Sequence, residues 1–510
     1  EFETSFPPPP QPAMLPPLPA PRLLTAAAAA CAVACGAAQP LAKPADMGPG
    51  RGPYWPHARG RMGEYGTTSF VGPRNLSDAV AWEWHHPAKA ILPGSALLDE
   101  QANIYLSAID GLRKFTPDGE VLWSYHTTGY ANHMCNSIMD GKIYGGGASG
   151  VVYSVDMETG KQVWIKQAWS GGEMDAPYVE AHEGIVLAAF DKDVDAHLGA
   201  RMMGNTRAIA MNATDGSQLW EFKSPTVIWN FMPLFIGDGT FVIMDIHGGI
   251  YRMRLHDGSR VWYSPPPSEF LESFSDGGVM LGPDGTSYAC ANLQRGAANS
   301  LGSLRAFRLS DGAIMWDRVL PQPCVSWPSV RDDTVVVPIG GLPNPLPAAY
   351  ALPWVPVAFK TYAHRLSIFL GDLQQFMWLG PGWAPLEVHA FDATTGWPKW
   401  KYDKIPSWKQ VSARGDEELF EERMGIWVDR PVCGPASWSA PTIDGAGTVY
   451  AGAMNGILYA INDANKDGII DDETEVSKLD VGHASLHAGA AFAPGMMVWA
   501  TCEGLWVFKY

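Results

Sequence analysis

Oxygen-bearing side chains alternate along one short stretch of the chain, DANKDGIIDDETE, at residues 463–475. Asp463, Asn465 and Asp467 occupy its first, third and fifth positions, and Gly468 follows at the sixth, where a sharp turn favours glycine. Carboxylate and amide oxygens at this spacing are typical of a calcium-binding loop. The pattern therefore predicts a calcium ion here, and the alternative is an acidic turn without a metal.

The closing ligand of this predicted calcium site departs from the usual pattern. A glutamate is expected at the twelfth position, where this chain has Thr474. Asp472 or Glu475 would have to supply the last carboxylate, and Ile469 would offer its backbone carbonyl. The predicted ligands are therefore Asp463, Asn465, Asp467, Ile469, Asp472 and Glu475.

A repeated phrase shows which elements must hold this loop. An Asp-Gly or Thr-Gly pair followed by Trp recurs in PDGEVLW, ETGKQVW, TDGSQLW, HDGSRVW, SDGAIMW and TTGWPKW. Short apolar runs with alternating polarity precede these copies, and they are clearest in PTIDGAGTVYAGAMNGILYAIN at residues 441–462. Each unit therefore predicts four short strands joined by tight turns. We expect the repeated Trp residues to pack between neighbouring units.

Four-stranded units repeated about every 40 residues predict a β-propeller, in which the sheets pack face to face around a central axis. The units give eight blades over residues 75–510. The eighth has only three strands before Tyr510, and VAWEWHH at residues 80–86 is similar to the fourth strand of blade one, VLWSYH. We therefore predict an all-β, eight-bladed propeller of four-stranded blades, whose last blade is closed by an N-terminal strand.

Composition agrees with this fold and excludes some functions. The chain contains 21 Trp, 54 Gly and 42 Pro, a mixture of aromatic packing and frequent turns that suits an all-β protein. A formal net charge of −17 disfavours nucleic acid or an anionic membrane surface as the main partner. The seven cysteines include no CxxC motif and no adjacent pair, which supports neither a zinc knuckle nor a dense disulfide framework.

The first 48 residues predict a low-complexity leader, followed by a lead-in segment at residues 49–74. From Met14 the leader resembles an export signal, with a short apolar stretch and a small-residue cleavage site. A disordered linker is one alternative, and lipid modification of Cys35, which would tether the protein to a membrane, is another. We therefore expect export, whether to the outside, a periplasm or an organelle lumen.

The long insertions are predicted on one face of the propeller, and the turns of the other face are nearly all short. If strands a to d run outward from the axis, residues 191–205, 291–303 and 340–385 all join strands b and c, and residues 405–435 lie on the same side. We call this side the elaborated face and the opposite side, with its short a–b and c–d turns, the short-turn face. Loop growth on a regular scaffold favours a binding role, for a protein partner or a small ligand, and neutral growth is the alternative. The predicted calcium lies on the short-turn face, which indicates a structural role.

The insertion at residues 343–384 in blade six contains a helical pattern. Apolar residues recur at spacings of three and four over residues 357–379, which predicts an amphipathic helix. This helix could pack across the propeller, cover the channel mouth, bind a partner or contact a membrane shallowly. The nearby triplet Arg-Gly-Asp at residues 414–416 is expected to be a solvated loop.

The residues just before each innermost strand should converge at the mouth of the central channel on the elaborated face. Asp175, the one acid among them, and His487 would lie there with Trp327 and Trp438. Such groups could hold a planar, oxygen-rich ligand, or they could cap the strands and satisfy backbone groups. The full column is Met134, Asp175, Phe231, Ser275, Ser326, Ser439 and His487.

The repeat and the lead-in phrase YWPHARGRMGEYGTTSFVGP, at residues 54–73, resemble the quinoprotein-like propellers, which are named for pyrroloquinoline quinone (PQQ). That family includes PQQ-dependent alcohol and sugar dehydrogenases, outer-membrane assembly lipoproteins, and propellers with no known ligand. The resemblance to the dehydrogenases implies PQQ at the channel mouth near Asp175, Trp327, Trp438 and His487, with Asp175 as the candidate catalytic residue.

The chain departs from the dehydrogenase pattern in two respects. The resemblance implies a calcium beside the quinone, held by carboxylate and amide ligands, but no glutamate and asparagine occupy matching positions. In the alcohol enzymes it also implies a disulfide between adjacent cysteines, and this chain has no such pair. We therefore expect a non-catalytic binding or assembly scaffold with a structural calcium, and the alternative is a PQQ-dependent oxidoreductase.

Overall fold

The computed structural model describes residues 52–92, 94–127, 136–147, 150–168, 178–190, 205–228, 231–267, 275, 278–293, 301–324, 326–340, 385–408, 413–417, 438–485 and 489–510. The predicted leader at 1–48, the insertion at 343–384 with its predicted helix at 357–379, and the candidates Asp175 and His487 lie outside these residues. The described residues form one short helix, α1 (Leu76–Ala79), and strands arranged in eight four-stranded antiparallel sheets.

The strands of the first four blades follow one another along the chain. Blade one contains β2 (Leu97–Leu98), β3 (Ile104–Ala108), β4 (Gly111–Phe115) and β5 (Val121–His126). Blade two contains β6 (Ser137–Met139), β7 (Lys142–Gly147), β8 (Val151–Asp156) and β9 (Gln162–Gln167). Blade three contains β10 (Glu180–His182), β11 (Ile185–Phe190), β12 (Asn205–Asn212) and β13 (Gln218–Ile228). Blade four contains β14 (Leu234–Phe235), β15 (Thr240–Met244), β16 (Ile250–Arg254) and β17 (Arg260–Ser264).

The last four blades include one exception to this order. Blade five contains β18 (Val279–Leu281), β19 (Thr286–Asn292), β20 (Gly302–Arg308) and β21 (Ile314–Leu320). Blade six contains β22 (Ser329–Arg331), β23 (Thr334–Ile339), β24 (Leu386–Asp392) and β25 (Pro398–Ile405). Blade seven contains β26 (Thr442–Ile443), β27 (Val449–Gly452), β28 (Ile457–Ile461) and β29 (Val476–Asp480). Blade eight contains β30 (Ala491–Ala493), β31 (Met496–Ala500), β32 (Gly504–Lys509) and β1 (Val80–His85).

The predicted all-β fold, an eight-bladed propeller of four-stranded sheets, is therefore confirmed. In the eighth sheet β1 pairs antiparallel with β32, and Glu83 lies opposite Trp506. Burial follows the position of each strand: every residue of β3 is buried, whereas residues of β1 alternate between half-buried and exposed. This difference arises because inner strands are covered on both faces and outer strands meet water.

Tryptophans on the outermost strands lock neighbouring blades together. The glycine of the next blade's c–d turn lies directly over the ring in every case except Trp400, and a Cβ added at Gly312 would lie 2.6 Å from the Trp262 ring. The indole N–H donates to a carbonyl of the same turn, as from Trp262 to Leu309 over 2.9 Å. The expected packing role is thus confirmed. The hydrogen-bonded pairs are Trp82–Pro117, Trp123–Met157, Trp164–Ala213, Trp220–Leu255, Trp262–Leu309 and Trp316–Ala393.

Blade seven has no such tryptophan, and the structure shows what replaces it. Ser477 lies opposite Ala460 in the register where Trp316 lies opposite Ala306 in blade five. Because the fourth strand of blade eight is β1, no c–d turn follows β32 to cover a ring. Instead α1 packs here: Leu76 is fully buried, and its N–H donates to Ser477 Oγ over 3.0 Å.

The lead-in segment crosses the short-turn end of the axis and contacts many innermost strands. Trp55 forms a β-bridge with Leu98, and Thr68 N–H donates to the carbonyl of Ile443 over 2.9 Å. Further contacts join Pro56 to Ile138, His57 to Glu180, Trp55 to Phe492, Arg59 to Ser329 and Tyr65 to Phe235. The short-turn end of the channel is therefore filled by protein.

Candidate functional site

The two tryptophans predicted at the channel mouth are packed inside the blades. Trp327 is 1% exposed and meets Tyr178 edge-on, with ring centroids 5.9 Å apart. Trp438 is fully buried and donates its indole N–H to the carbonyl of Ile339 over 3.0 Å. Both rings therefore contribute to core packing, and neither presents an open face on which a planar ligand could lie.

The described serines of the predicted column cap backbone groups. Ser275 Oγ accepts from Asn292 N–H, and Ser439 Oγ accepts from Gly452 N–H, each over 2.9 Å. Ser326 Oγ donates to the carbonyl of Ser439 over 3.1 Å. All three serines are buried, as is Phe231. For these residues the geometry matches the capping alternative, whereas Asp175 and His487 lie outside the described residues.

Arg59, in the lead-in segment, joins two blades at the axis. Its guanidinium donates to Ser329 Oγ over 3.0 Å, to the carbonyl of Pro441 over 2.5 Å and to that of Ala440 over 3.4 Å. Arg59 is 1% exposed, so its charge is held by protein dipoles instead of water. The sequence showed only that this segment resembles the lead-in of known propellers. It did not indicate the contacts of Arg59, because the partners of Arg59 lie several hundred residues away in the chain.

A second buried polar contact lies beside Arg59. His57 Nδ1 and Glu180 Oε2 are 2.7 Å apart, and Ala58 N–H donates to Glu180 Oε1 over 3.3 Å. Both side chains are buried. Burial raises the pKa of Glu180 above its ordinary value of 4.5, and the contact with His57 offsets only part of this shift.

We expect Glu180→Gln to change the pH dependence of stability. Above about pH 4.5 the unfolded chain loses the Glu180 proton while the fold retains it, so stability falls as pH rises towards the raised pKa. Gln cannot ionise, so melting temperatures measured from pH 5 to pH 8 should fall less steeply than in the parent. Exposed Glu120→Gln is the control, and equal slopes for parent and Glu180→Gln would contradict the prediction.

The predicted calcium loop joins β28 to β29, and its backbone N–H groups donate to its own side-chain oxygens. Asn465 Oδ1 accepts from Asp467 N–H over 2.9 Å, and Asp463 Oδ2 accepts from Gly468 N–H over 3.2 Å. Gly468 has a φ of +79°, a conformation that favours glycine. The other oxygen, Asp463 Oδ1, is inaccessible to solvent and has no hydrogen-bond partner among the described residues.

The two carboxylates predicted to close the loop have other partners. Glu475 accepts from the N–H groups of Ala464 and Asp471, at 2.9 and 3.0 Å. Asp472 accepts from Lys478 Nζ over 2.8 Å and from the Tyr402 hydroxyl. Burial alone would raise the pKa of Asp472, but these two hydrogen bonds bring it below its ordinary value. The coordination of a calcium ion here would therefore be left open on one side.

A cleft of about 570 Å³ lies beside this loop, between blades six and seven on the short-turn face. Trp400 and Lys399 line it from blade six, and Gly447 lines it from the a–b turn of blade seven. Asp463 and Asp467 of the loop line it as well. Within the described part of the chain, no group of three or more His, Cys, Asp or Glu is arranged to hold a metal, so any ion here needs amide or carbonyl oxygens too.

The structure contains a disulfide that sequence spacing did not indicate. Cys290 in β19 is bonded to Cys324, 34 residues later, and both are fully buried. Cys502 is also disulfide-bonded. Pairing over such distances cannot be deduced from spacing alone. Disulfides form and persist in oxidising compartments.

The expectation of a solvated Arg-Gly-Asp loop was wrong for its last residue. Asp416 is 1% exposed, and the neighbouring Arg414 donates its backbone N–H to the carbonyl of Met454 over 3.1 Å. The triplet is held against blade seven by backbone contacts, so its carboxylate is not displayed to solvent.

Residues 108–276 match the family model of the outer membrane protein assembly factor BamB. The fold resembles the crystal structure of BamB from Moraxella catarrhalis, with a TM-score of 0.54, 13% identity, and coverage of 84% of this chain and 99% of that one. The resemblance to the quinoprotein-like propellers is confirmed. No curated protein sequence matches this PQQ-like propeller.

Dehydrogenases share the fold as closely as BamB does. The quinohemoprotein alcohol dehydrogenase from Comamonas testosteroni has a TM-score of 0.54 and 12% identity, with coverage of 89% of this chain and 80% of that one. A europium-containing methanol dehydrogenase has a TM-score of 0.53 and 10% identity, with coverage of 90% and 98%. At these identities the likeness of this PQQ-like propeller to each protein concerns the fold alone.

Among the described residues, no helix has both the length and the apolar character needed to cross a bilayer.

Proposed function

We propose that this PQQ-like propeller is an exported, non-catalytic scaffold that binds a partner on its elaborated face. The observation that carries the proposal is the lead-in segment, whose buried Arg59 fills the short-turn end of the axis. A partner that reaches the axis must then approach from the other side. The described serine hydroxyls at that mouth are already hydrogen-bonded to backbone groups. This supports a structural role for the mouth in preference to cofactor binding.

The export and closure parts of the proposal rest on separate observations. The buried Cys290–Cys324 disulfide supports passage through an oxidising compartment. The pairing of β1 with β32 supports closure of the ring by an N-terminal strand, which leaves blade eight with its full set of four strands. Tethering through Cys35 or through the helix predicted at 357–379 stays a prediction.

The experiment that tests the scaffold role is a calorimetric titration of the purified protein with PQQ in the presence of calcium. We expect no saturable binding at tens of micromolar PQQ. Saturable one-to-one binding that is lost in Asp175→Ala would overturn the proposal and favour the alternative, a PQQ-dependent oxidoreductase.

We also propose that the loop at residues 463–475 holds a structural calcium. The solvent-inaccessible Asp463 Oδ1 without a described partner supports this assignment, because such an oxygen is costly unless a cation or a donor satisfies it. Asn465, Asp467 and the carbonyl of Ile469 would supply further oxygens. Calcium binding to the fold alone would stabilise it, by about 2.7 kcal/mol at 100 times the dissociation constant.

A chelator should therefore lower the melting temperature of the parent protein. Replacing both Asp463 and Asp467 with Ala should abolish that sensitivity, because the loop would lose two of its carboxylates. A control variant with Glu120→Ala and Glu158→Ala removes the same charge elsewhere on the short-turn face and should stay chelator-sensitive. An unchanged melting temperature of the parent in chelator would rule out the calcium site.

A further inference from the structure

Trp400 differs from the other outer-strand tryptophans that face a neighbouring blade. It is 8% exposed, yet its indole N–H has no hydrogen-bond partner among the described residues, whereas the equivalent group of Trp316 donates to Ala393 over 2.9 Å. The cause lies in blade seven, where the calcium loop replaces the short Gly turn. A Cβ added at Gly468 would meet only the carbonyl oxygen of Lys399, 2.9 Å away, and no atom of the Trp400 ring within 4 Å.

The space left by the missing turn is the cleft between blades six and seven. The Trp400 side chain is nine-tenths buried and lines this cavity of about 570 Å³, and its N–H has no partner among the described residues. This N–H is not among the solvent-inaccessible polar atoms without a partner, so water can reach it when the cleft is empty. A ligand that carries an oxygen acceptor would supply what the turn carbonyl supplies in the other blades.

Three positive side chains line the cleft, Arg331, Lys399 and Lys466, against four aspartates, Asp332, Asp333, Asp463 and Asp467, so the lining becomes net positive only when the proposed calcium ion is bound. Arg331 donates to the carbonyl of Thr68, and Lys399 pairs with Asp333 over 2.8 Å, so the positive charges of these two residues are already engaged. Lys466 also lines the cleft and has no ion-pair partner among the described residues. Its ammonium group is therefore available to an incoming negative charge.

The calcium loop presents its open side to the same cleft. Asp463 and Asp467 line the cleft, whereas the candidate closing residues Asp472 and Glu475 are held by Tyr402 and by backbone N–H groups. A calcium ion takes six to eight oxygen ligands, and the loop offers fewer with those two carboxylates engaged. The remaining positions would be filled by water or by oxygens of a ligand in the cleft.

We propose that this cleft binds a carboxylate-bearing ligand, which accepts a hydrogen bond from Trp400 Nε1 and coordinates the calcium ion. The inference rests on the calcium site proposed above and extends it from a structural ion to a recognition element. The carboxylate could belong to an acidic sugar or to the C-terminus of a peptide, because both present the same planar pair of oxygens.

Calorimetric titrations with two probe acids test the inference. Trigalacturonate represents acidic sugars, and N-acetyl-triglycine represents peptide C-termini; maltotriose and the triglycine amide are the matched neutral probes. We expect one acid to bind in calcium, its neutral counterpart not to bind, and chelator to abolish binding. Which acid binds identifies the source of the carboxylate.

Two matched variants isolate the indole N–H. Trp400→Phe keeps an aromatic ring but removes the N–H and part of the indole, so affinity for the acid should fall about 10-fold, and the lost packing should lower the melting temperature slightly. Trp316→Phe loses the same part of the indole and also the hydrogen bond to Ala393, so the melting temperature should fall by about 1 °C more than in Trp400→Phe, and the affinity should stay unchanged.

A direct calcium titration separates the two proposals. If calcium binds but neither acid does, or if Trp400→Phe binds the acid as tightly as the parent, the cleft inference fails and the structural calcium stands. If calcium does not bind, both fail. Acid binding that survives chelator would also overturn the coordination proposed here.

Discussion

Arg59→Ala should lower the free energy of unfolding by about 4 kcal/mol. The guanidinium makes three hydrogen bonds to blades six and seven from a fully buried position. Its loss would leave Ser329 Oγ and the carbonyls of Ala440 and Pro441 without this donor and would open a void at the axis. Unfolding in guanidinium chloride, followed by Trp fluorescence, measures the change.

Two further arginine variants show whether the effect belongs to the axis. Arg308→Ala removes a half-exposed arginine that pairs with Asp311 on the surface, and it should change stability by no more than about 0.5 kcal/mol. Arg59→Lys keeps the charge but cannot reach all three acceptors. Its free energy of unfolding should therefore lie between those of Arg59→Ala and Arg308→Ala. Equal stability of Arg59→Ala and Arg308→Ala would mean that the lead-in segment does not hold the blades together.

Gly312→Ala should lower the free energy of unfolding by about 3 kcal/mol. Gly312 has a φ of +74°, where a Cβ is strained, and that Cβ would also lie 2.6 Å from the Trp262 ring. The ring cannot move away easily, because its N–H is bonded to Leu309 in the same turn. Thermal unfolding of parent and variant gives the difference.

Gly184→Ala is the matched control for this substitution. Gly184 has nearly the same φ, +76°, but nothing lies within 4 Å of an added Cβ. Its free energy of unfolding should therefore fall only by the cost of the left-handed backbone conformation, about 1 kcal/mol. If both variants lost the same amount, the contact between turn glycine and tryptophan would contribute nothing to the packing of neighbouring blades.

The fold could be predicted because its signals are local and repeated. Each Gly turn and the tryptophan that follows it lie within a few residues, and the copies mark successive blades along the chain. The closure by an N-terminal strand also rests on a local signal, because Val80–His85 repeats the pattern of Val121–His126, and it stays a prediction that the pairing of β1 with β32 supports. The path of the lead-in segment was not predicted, because its contacts belong to no repeat.

In the candidate sites, too, local features could be predicted and contacts between distant residues could not. The turn of the calcium loop follows from Asp463 and Gly468, five positions apart, so its spacing predicted it. The engagement of Asp472 with Tyr402, 70 residues earlier, depends on how blades six and seven meet, which spacing does not show. The burial of Trp327 and Trp438 likewise depends on neighbouring strands, and a polar column in sequence cannot distinguish caps from ligand-binding groups.

The lead-in segment and α1 also constrain the order in which the protein can fold. Arg59 is hydrogen-bonded to Ala440, 381 residues later in the chain, and Leu76 to Ser477, 401 residues later. Ribosomal synthesis delivers the earlier member of each pair long before its partner, so these contacts can form only after most blades exist. Contacts between residues so distant in the chain form slowly and leave apolar surface exposed meanwhile. Completion of the axis should therefore be the slow final step of folding, and the stage at which aggregation competes most strongly.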